Sequence, residues 1–354
     1  MRCVIVSYES CIMRVSTDAI NSFSESACRA ASGALSGFIM RAAGKVMGII
    51  MKNILTFLEE NAIKYKDKTA FVDLNDSVTY AELLARAQSI GSALSKTGTK
   101  NKPIAVYFDK CVNTISAMLG VVYSGNFYVV IDSEMPPARI NKIFGALSPV
   151  AVITDKKHHE NALQLEFSGD IYDLEEALSC KINSEKLAQI RSRQIDTDPL
   201  YALFTSGSTG VPKGAVVSHK SVMAYSEWVS NTFDITSETV FANQTPFYFS
   251  MSVTDVYSTL RNGATLAIVP KMYFSFPIKL VEFLDEYKAN TIYWVPSAIS
   301  MVSNFKVFDF QKPKYLNKVL FAGEVMPTKQ LNYWINNLPE NTLFANLYLG
   351  TSRS

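Results

Sequence analysis

Leu203-Phe204-Thr205-Ser206-Gly207-Ser208-Thr209-Gly210-Val211-Pro212-Lys213-Gly214 is the stretch on which the reading of this chain turns. It lies between an apolar run, Pro199 to Phe204, and a second one, Ala215-Val216-Val217, which leads to a helical start at Ser218. A loop so rich in Gly, Ser and Thr, held between two strands and carrying one lysine, can wrap phosphate oxygens. Its glycines let backbone N–H groups converge, its hydroxyls add donors, and Lys213 supplies charge. It is not a Walker A loop, because Pro212, Lys213 and Gly214 stand where that motif needs Gly, Lys and a hydroxyl. A plain turn would explain a lone Gly-Ser run, but a hairpin needs far less detail than this. Thr205, Ser206, Gly207, Ser208, Thr209, Gly210 and Lys213 are therefore the expected phosphate contacts.

Around the loop, strands and helices alternate. Thr79 can cap a helix over Ala81–Ser95, whose apolar positions Leu83, Leu84, Ala87, Ile90 and Leu94 recur at helical spacing. Pro103–Phe108, Asn126–Ile131 and Val150–Thr154 read as strands, and Val112–Tyr123 and Pro136–Leu147 as helices between them. Residues 156–198 are polar and weakly patterned, and are expected to form a surface excursion. Beyond the loop, strands are expected at Val240–Asn243, Thr265–Val269, Thr291–Trp294, Lys318–Phe321 and Leu343–Asn346. Near-continuous apolar strands between amphipathic helices imply mostly parallel sheets buried on both faces. The fold class is α/β, with two βα-repeating subdomains of mostly parallel sheet flanked by helices, joined around residue 200.

Residues 1–50 differ from the rest of the chain: they are Ser- and Ala-rich, with three cysteines and no sustained period. Arg2, Arg14, Arg29 and Arg41 loosely suit a transit peptide, whereas a secretory signal lacks its apolar core. The plainer expectation is an extension outside the fold, with the true start at Met51 or Met47. From Met51 onward, Ile54, Leu55, Leu58, Ala62 and Tyr65 fall on one helical face.

The chain has 354 residues, 48% hydrophobic and 19% charged, which suits one large or two ordinary globular domains. A net charge of +2 gives no electrostatic reason to expect a nucleic acid as partner. No apolar run reaches the ~18 residues of a membrane-spanning helix. Five cysteines without a C-x-x-C pair, and three histidines, make no plausible metal site. Cys111 and Cys180 are expected to be reduced thiols of a cytoplasmic protein.

Four further segments complete the picture. They are Gly125-Asn126-Phe127-Tyr128-Val129-Val130-Ile131-Asp132 with Pro136, Arg139 and Ile140; Asn243-Gln244-Thr245-Pro246-Phe247-Tyr248-Phe249-Ser250-Met251-Ser252-Val253-Thr254-Asp255; Ala322-Gly323-Glu324; and Asn346-Leu347-Tyr348. Together with the T-S-G-S-T-G-x-P-K-G run, and in this order, the chain from about Met51 to Tyr348 resembles the adenylate-forming superfamily. Its members include acyl-CoA synthetases, luciferases and adenylation domains of non-ribosomal peptide synthetases. Within it the sequence is most similar to amino-acid adenylation domains and D-alanine–carrier-protein ligases.

The resemblance implies ATP-dependent activation of a carboxylic acid, release of pyrophosphate, and transfer of the acyl group to a thiol. ATP and magnesium are the implied cofactors, and a small carboxylic acid and a carrier protein bearing phosphopantetheine the implied partners. An acyl-CoA ligase and a non-catalytic nucleotide-binding remnant are the alternatives. Lys213 would be the catalytic residue, stabilising charge on the departing pyrophosphate. Gly323, Glu324, Asn346 and Tyr348 would line the adenine and acyl pocket, and the Gly125–Ile140 segment would serve architecture.

Phe249 and Ser250 would face the substrate, in the place of the family's F-D-x-S motif. There the family's Asp pairs with a substrate ammonium, and Ser250 offers no such charge. At about 100° per helical residue, Asp255 falls roughly 140° round from Ser250. It is expected to be a carboxylate on the helix surface. After Tyr348 the family's Gly-Pro-Thr-Glu gives way to Leu349-Gly350-Thr351-Ser352-Arg353-Ser354. The chain is thus expected to break off inside a motif, by a frame shift or a partial gene. It would lack the family's C-terminal domain and be inactive alone.

Overall fold

The computed structural model describes residues 3–7, 53–205 and 212–348; for 3–7, 205 and 348 only the backbone is described. Strand β1 (Cys3–Ser7) is followed by helix α1 (Leu55–Lys64), the hairpin β2 (Thr69–Val72) and β3 (Ser77–Thr79), and α2 (Tyr80–Leu94). Thr79 starts α2 as expected. Its hydroxyl accepts from the Glu82 N–H at 3.2 Å, while the Glu82 carboxylate accepts from the Thr79 N–H at 2.8 Å, a reciprocal cap.

Next come β4 (Pro103–Tyr107), α3 (Val112–Tyr123), β5 (Phe127–Ile131), α4 (Pro137–Leu147) and β6 (Ala151–Thr154). Every residue of β4, β5 and β6 is buried, as parallel strands covered on both faces must be. Residues 156–198 are not only a surface excursion. They hold α5 (His159–Leu163), β7 (Asp170–Asp173), α6 (Leu174–Leu178) and α7 (Ser184–Arg193). Leu174, Ala177 and Leu187 join the main core. With so few buried positions per short element, no period could show in the sequence.

The second half runs β8 (Pro199–Thr205), β9 (Lys213–Ser218), α8 (His219–Phe233), β10 (Val240–Asn243), α9 (Ser252–Asn262), β11 (Thr265–Ile268) and α10 (Pro277–Glu286). It ends β12 (Thr291–Trp294), α11 (Pro296–Asn304), β13 (Lys318–Phe321), α12 (Thr328–Asn337) and β14 (Leu343–Tyr348). Among the described residues two sheets form. One has six strands in the order β7-β6-β4-β5-β8-β9, the other eight in the order β1-β14-β13-β12-β10-β11-β2-β3. All pairings are parallel except β8 with β9 and β2 with β3.

Two expectations about organisation are corrected. The halves do not part cleanly at residue 200, because the early hairpin β2–β3 belongs to the later sheet, with Leu266 opposite Phe71 and Ala267 opposite Val72. A two-stranded hairpin is marginal alone, and buried Phe71 and Val78 find their cover there. Residues 1–50 are not wholly outside the fold: β1 extends the large sheet, Cys3 opposite Phe344 through Ser7 opposite Tyr348. Residues 8–50 lie outside the described residues.

Helix α9 runs between the sheets and is buried on nearly every side, from Ser252 to Leu260. The hydroxyl of its Tyr257 meets that of Tyr128 on β5 at 2.6 Å. The Tyr80 hydroxyl donates to the Thr259 and Ala264 carbonyls, at 2.9 and 2.7 Å.

Candidate functional site at the carboxyl edge of two sheets

In open α/β sheets, ligands settle beyond the carboxyl ends of the strands, where the chain is free to form loops. Here the carboxyl edges of the two sheets meet. From the six-stranded sheet, Lys110 follows β4 and donates to the carbonyls of Asn243 and Gln244, at 3.1 and 3.0 Å, where β10 leaves the eight-stranded sheet. Lys271, in the turn after β11, pairs with Glu134, in the turn after β5. Asp132, which opens that turn, accepts from the Glu134 N–H at 3.1 Å. Its carboxylate also faces the Tyr248 hydroxyl, which burial, and then Asp132, push above its usual range.

The glycine-rich loop closes an antiparallel hairpin on this edge, with Thr205 opposite Lys213 and Phe204 opposite Gly214. It therefore follows a strand and returns as a strand, with no helix at its exit. Lys213 is exposed. Ser206, Gly207, Ser208, Thr209 and Gly210 lie outside the described residues, and of Thr205 only the backbone is described.

Gly323, two residues past the end of β13, has φ +91°, a backbone that side-chain-bearing residues rarely adopt. A Cβ there would lie 3.3 Å from the Met251 sulfur, so the glycine turn and the 244–251 loop pack against each other. Glu324 is exposed, and its Oε2 accepts from the Ser297 N–H at 2.9 Å, in the first turn of α11. A carboxylate is well placed at such a helix start, where free N–H groups point outward. Asn346 is half-buried, opposite Phe321 on one side and Ile5 on the other. Tyr348 ends β14, its backbone opposite Ser7.

Phe249 and Ser250 are both exposed, at the turn leading into α9. The Phe249 ring lies against Tyr248, centroids 4.7 Å apart, and its carbonyl accepts from the Ser252 hydroxyl at 2.7 Å. Asp255 is not the surface carboxylate expected. It is fully buried, with Oδ2 accepting from the Asn243 side-chain amide at 2.7 Å. Turning away from Ser250 does not bring Asp255 to water, because α9 has no solvent face to turn it toward. One signal was legible: from Ser252 to Leu260 the helix carries no charge but Asp255, which marks a helix covered all round.

Sequence reasoning also passed over Lys110. Its ammonium is enclosed, 5.5 Å from the Phe247 ring centroid. Burial lowers its pKa to about 7 and raises that of Asp255 to about 7, each charge partly offsetting the other's loss of water. A surface hollow of about 570 Å³ lies elsewhere, lined by His159, Asp173 and Glu176. Among the described residues, no group of three His, Cys, Asp or Glu side chains is placed to hold a metal ion, and no helix is long and apolar enough to cross a membrane.

A family model described as AMP-binding enzyme matches residues 58–348, and the chain belongs to that family. Among curated proteins it is 28% identical to an L-proline--[L-prolyl-carrier protein] ligase of Streptomyces coelicolor, over 85% of this chain and 60% of that one. It is also 28% identical to a D-alanine--D-alanyl carrier protein ligase of Staphylococcus aureus, over 83% of this chain and 58% of that one. The chain thus spans about three fifths of the length of these relatives.

Among solved structures, the non-ribosomal peptide synthetase FmoA3 in its AMPPNP-bound form superposes with a TM-score of 0.73 at 19% identity. That match covers 85% of this chain and 32% of that one. VinN in complex with L-aspartate gives 0.72 at 18% identity, over 84% and 75%. At such identities these structures speak for the fold, the α/β architecture of two mostly parallel sheets flanked by helices.

Proposed function

We propose that the chain is the nucleotide- and acid-binding part of an enzyme that joins a small carboxylic acid to a carrier-protein thiol. The acid's carboxylate oxygen attacks the α-phosphorus of ATP, and the bond to pyrophosphate breaks. The carrier's phosphopantetheine thiol then attacks the acyl carbon, and AMP leaves. The observation that carries this reading is the meeting of two carboxyl edges, through Lys110 and Lys271. In its support, the Thr205–Lys213 pair, the Gly323–Glu324 turn, Asn346 with Tyr348, and the Phe249–Ser250 turn each lie at or beyond the carboxyl end of a strand.

In this reading Lys213, with Thr205, Ser206, Gly207, Ser208, Thr209 and Gly210, holds the phosphates. Exposed Lys213 stabilises the charge that grows on pyrophosphate. Gly323, Glu324, Asn346 and Tyr348 border adenine and the acyl group. Magnesium would be held by the phosphate oxygens of ATP, where it would offset their charge. We place the functional domain at residues 51–354, with β1 as an added edge strand, and the protein in the cytoplasm, a compartment that suits the free thiols of Cys111 and Cys180.

Support for a carrier-protein acceptor over coenzyme A comes from the two carrier-protein ligases above, each named for an amino acid it loads. The test begins with ATP binding by this chain in calorimetry. Acid-dependent ATP–pyrophosphate exchange over amino, hydroxy, aryl and fatty acids comes next, and then acyl transfer to a phosphopantetheinylated carrier or to coenzyme A. Binding and exchange with one acid class support the reading. A chain that binds ATP but exchanges pyrophosphate with no acid is the non-catalytic nucleotide-binding remnant, a chain that binds no ATP overturns the reading, and acylation of coenzyme A alone moves it to the acyl-CoA ligases.

A further inference from the structure

The loop over residues 244–251 leaves β10 and enters α9, and both of its ends are tied to one buried cluster. At its start, Lys110 donates to the Asn243 and Gln244 carbonyls. At its end, Asp255 in the first turn of α9 accepts from the Asn243 amide at 2.7 Å. Asn243 thus stands between an ammonium from one sheet and a carboxylate from the helix between the sheets. Asn243 and Asp255 are both fully buried, and the Oδ1 atom of each lacks a hydrogen-bond donor.

Burying an ammonium and a carboxylate is costly, and well-packed apolar side chains at both places would usually stabilise a fold at least as well. The clearest gain from such a cluster is fixed geometry. Lys110 directs its protons to carbonyls at the point where the strand ends and the loop departs, so it sets the direction in which the loop leaves. Asp255 sets the Asn243 side chain against the helix that the loop enters.

We propose that Lys110, Asn243 and Asp255 form a clamp across the two sheets that positions the 244–251 loop, and with it Phe249 and Ser250. Lys110 and Asp255 are then positioning residues for acid recognition. Because Lys110 belongs to the sheet that carries the glycine-rich hairpin, movement between the sheets is passed to the acid-facing loop. The purpose of the clamp rests on the function proposed above; its existence does not.

The test is hydrogen exchange on the ligand-free chain, which needs no activity. The Phe249, Ser252 and Val253 amides are bonded within this segment, to the carbonyls of Pro246, Phe249 and Ser250. In Lys110→Met they should exchange at least tenfold faster, while amides of β10 and β11 keep wild-type rates. Lys110→Arg, which keeps charge and donors, should restore much of the protection. Lys68→Met is the control: it removes a lysine that donates to the Gly263 carbonyl at 2.7 Å, away from the loop, and should leave these amides unchanged. Wild-type protection of the loop in folded Lys110→Met overturns the clamp, as does equal loosening in the Lys68 variant. If Lys110→Met does not fold, Lys110→Gln decides in the same way. A loosened loop in a chain that activates no acid would leave the clamp standing and remove only its stated purpose.

Discussion

The hydroxyls of Tyr128 and Tyr257 bond to each other at 2.6 Å, one on the six-stranded sheet and one on the helix between the sheets. Both rings are buried. Removing one hydroxyl strands the other without its partner, at a cost of about 1–3 kcal/mol, whereas removing both leaves nothing unsatisfied. Tyr128→Phe and Tyr257→Phe should each lower the melting temperature. The double variant should be more stable than the sum of the two losses predicts, by about 1 kcal/mol of coupling. Denaturant unfolding of the four proteins measures this, and strict additivity would show that the bond ties nothing together.

Lys213→Ala should leave melting unchanged, since the side chain is exposed where β9 begins. In any form of the protein that performs acid-dependent pyrophosphate exchange, the same variant should lower the rate on the order of 10²–10³-fold, the usual effect of losing one electrostatic donor to a developing charge. Undiminished exchange would remove Lys213 from the phosphate site.

Ser250 bears on the class of acid. Exposed at the loop tip, it offers a hydroxyl and no charge to a substrate ammonium, and Asp255 is committed to Asn243 beneath. A charge-assisted hydrogen bond is worth about 1.5–3 kcal/mol. We expect preference for an acid without a free α-ammonium, and Ser250→Asp should shift preference toward small amino acids. The comparison is pyrophosphate exchange with alanine against a hydroxy acid. Efficient use of alanine by wild type, with no gain from Ser250→Asp, would sink the idea.

His219 gives a pH signature. Burial lowers its pKa from 6.5 to about 4. Between those values the unfolded chain binds the proton more readily than the folded one. The stability from keeping His219 neutral is therefore complete above pH 6.5 and is lost as pH falls toward 4, by roughly 3 kcal/mol at most. His219→Gln cannot titrate. Plotted as wild type minus variant, unfolding free energy should fall as pH drops through that window. A flat difference would mean that His219 stays hydrated.

Much of the fold was legible in local pattern. Val112–Tyr123 as a helix and Thr291–Trp294 and Lys318–Phe321 as strands stand at the expected residues, because an apolar run bounded by turns needs no partner to be recognised. The strand–loop–strand frame of the glycine-rich run, and the glycine in the turn after β13, were legible for the same reason.

What the sequence by itself determined, then, was the α/β class and most of the order of elements, since backbone propensity, turn chemistry and side-chain period act over a few neighbours. Only the tertiary structure decided that β2–β3 joins the later sheet, that Lys110 reaches across to Asn243, and that Asp255 lies buried. Each depends on which surface an element meets. That is set by burial and charge compensation between residues more than a hundred positions apart, such as Lys110 and Asp255, or Phe71 and Leu266, and no local period encodes it.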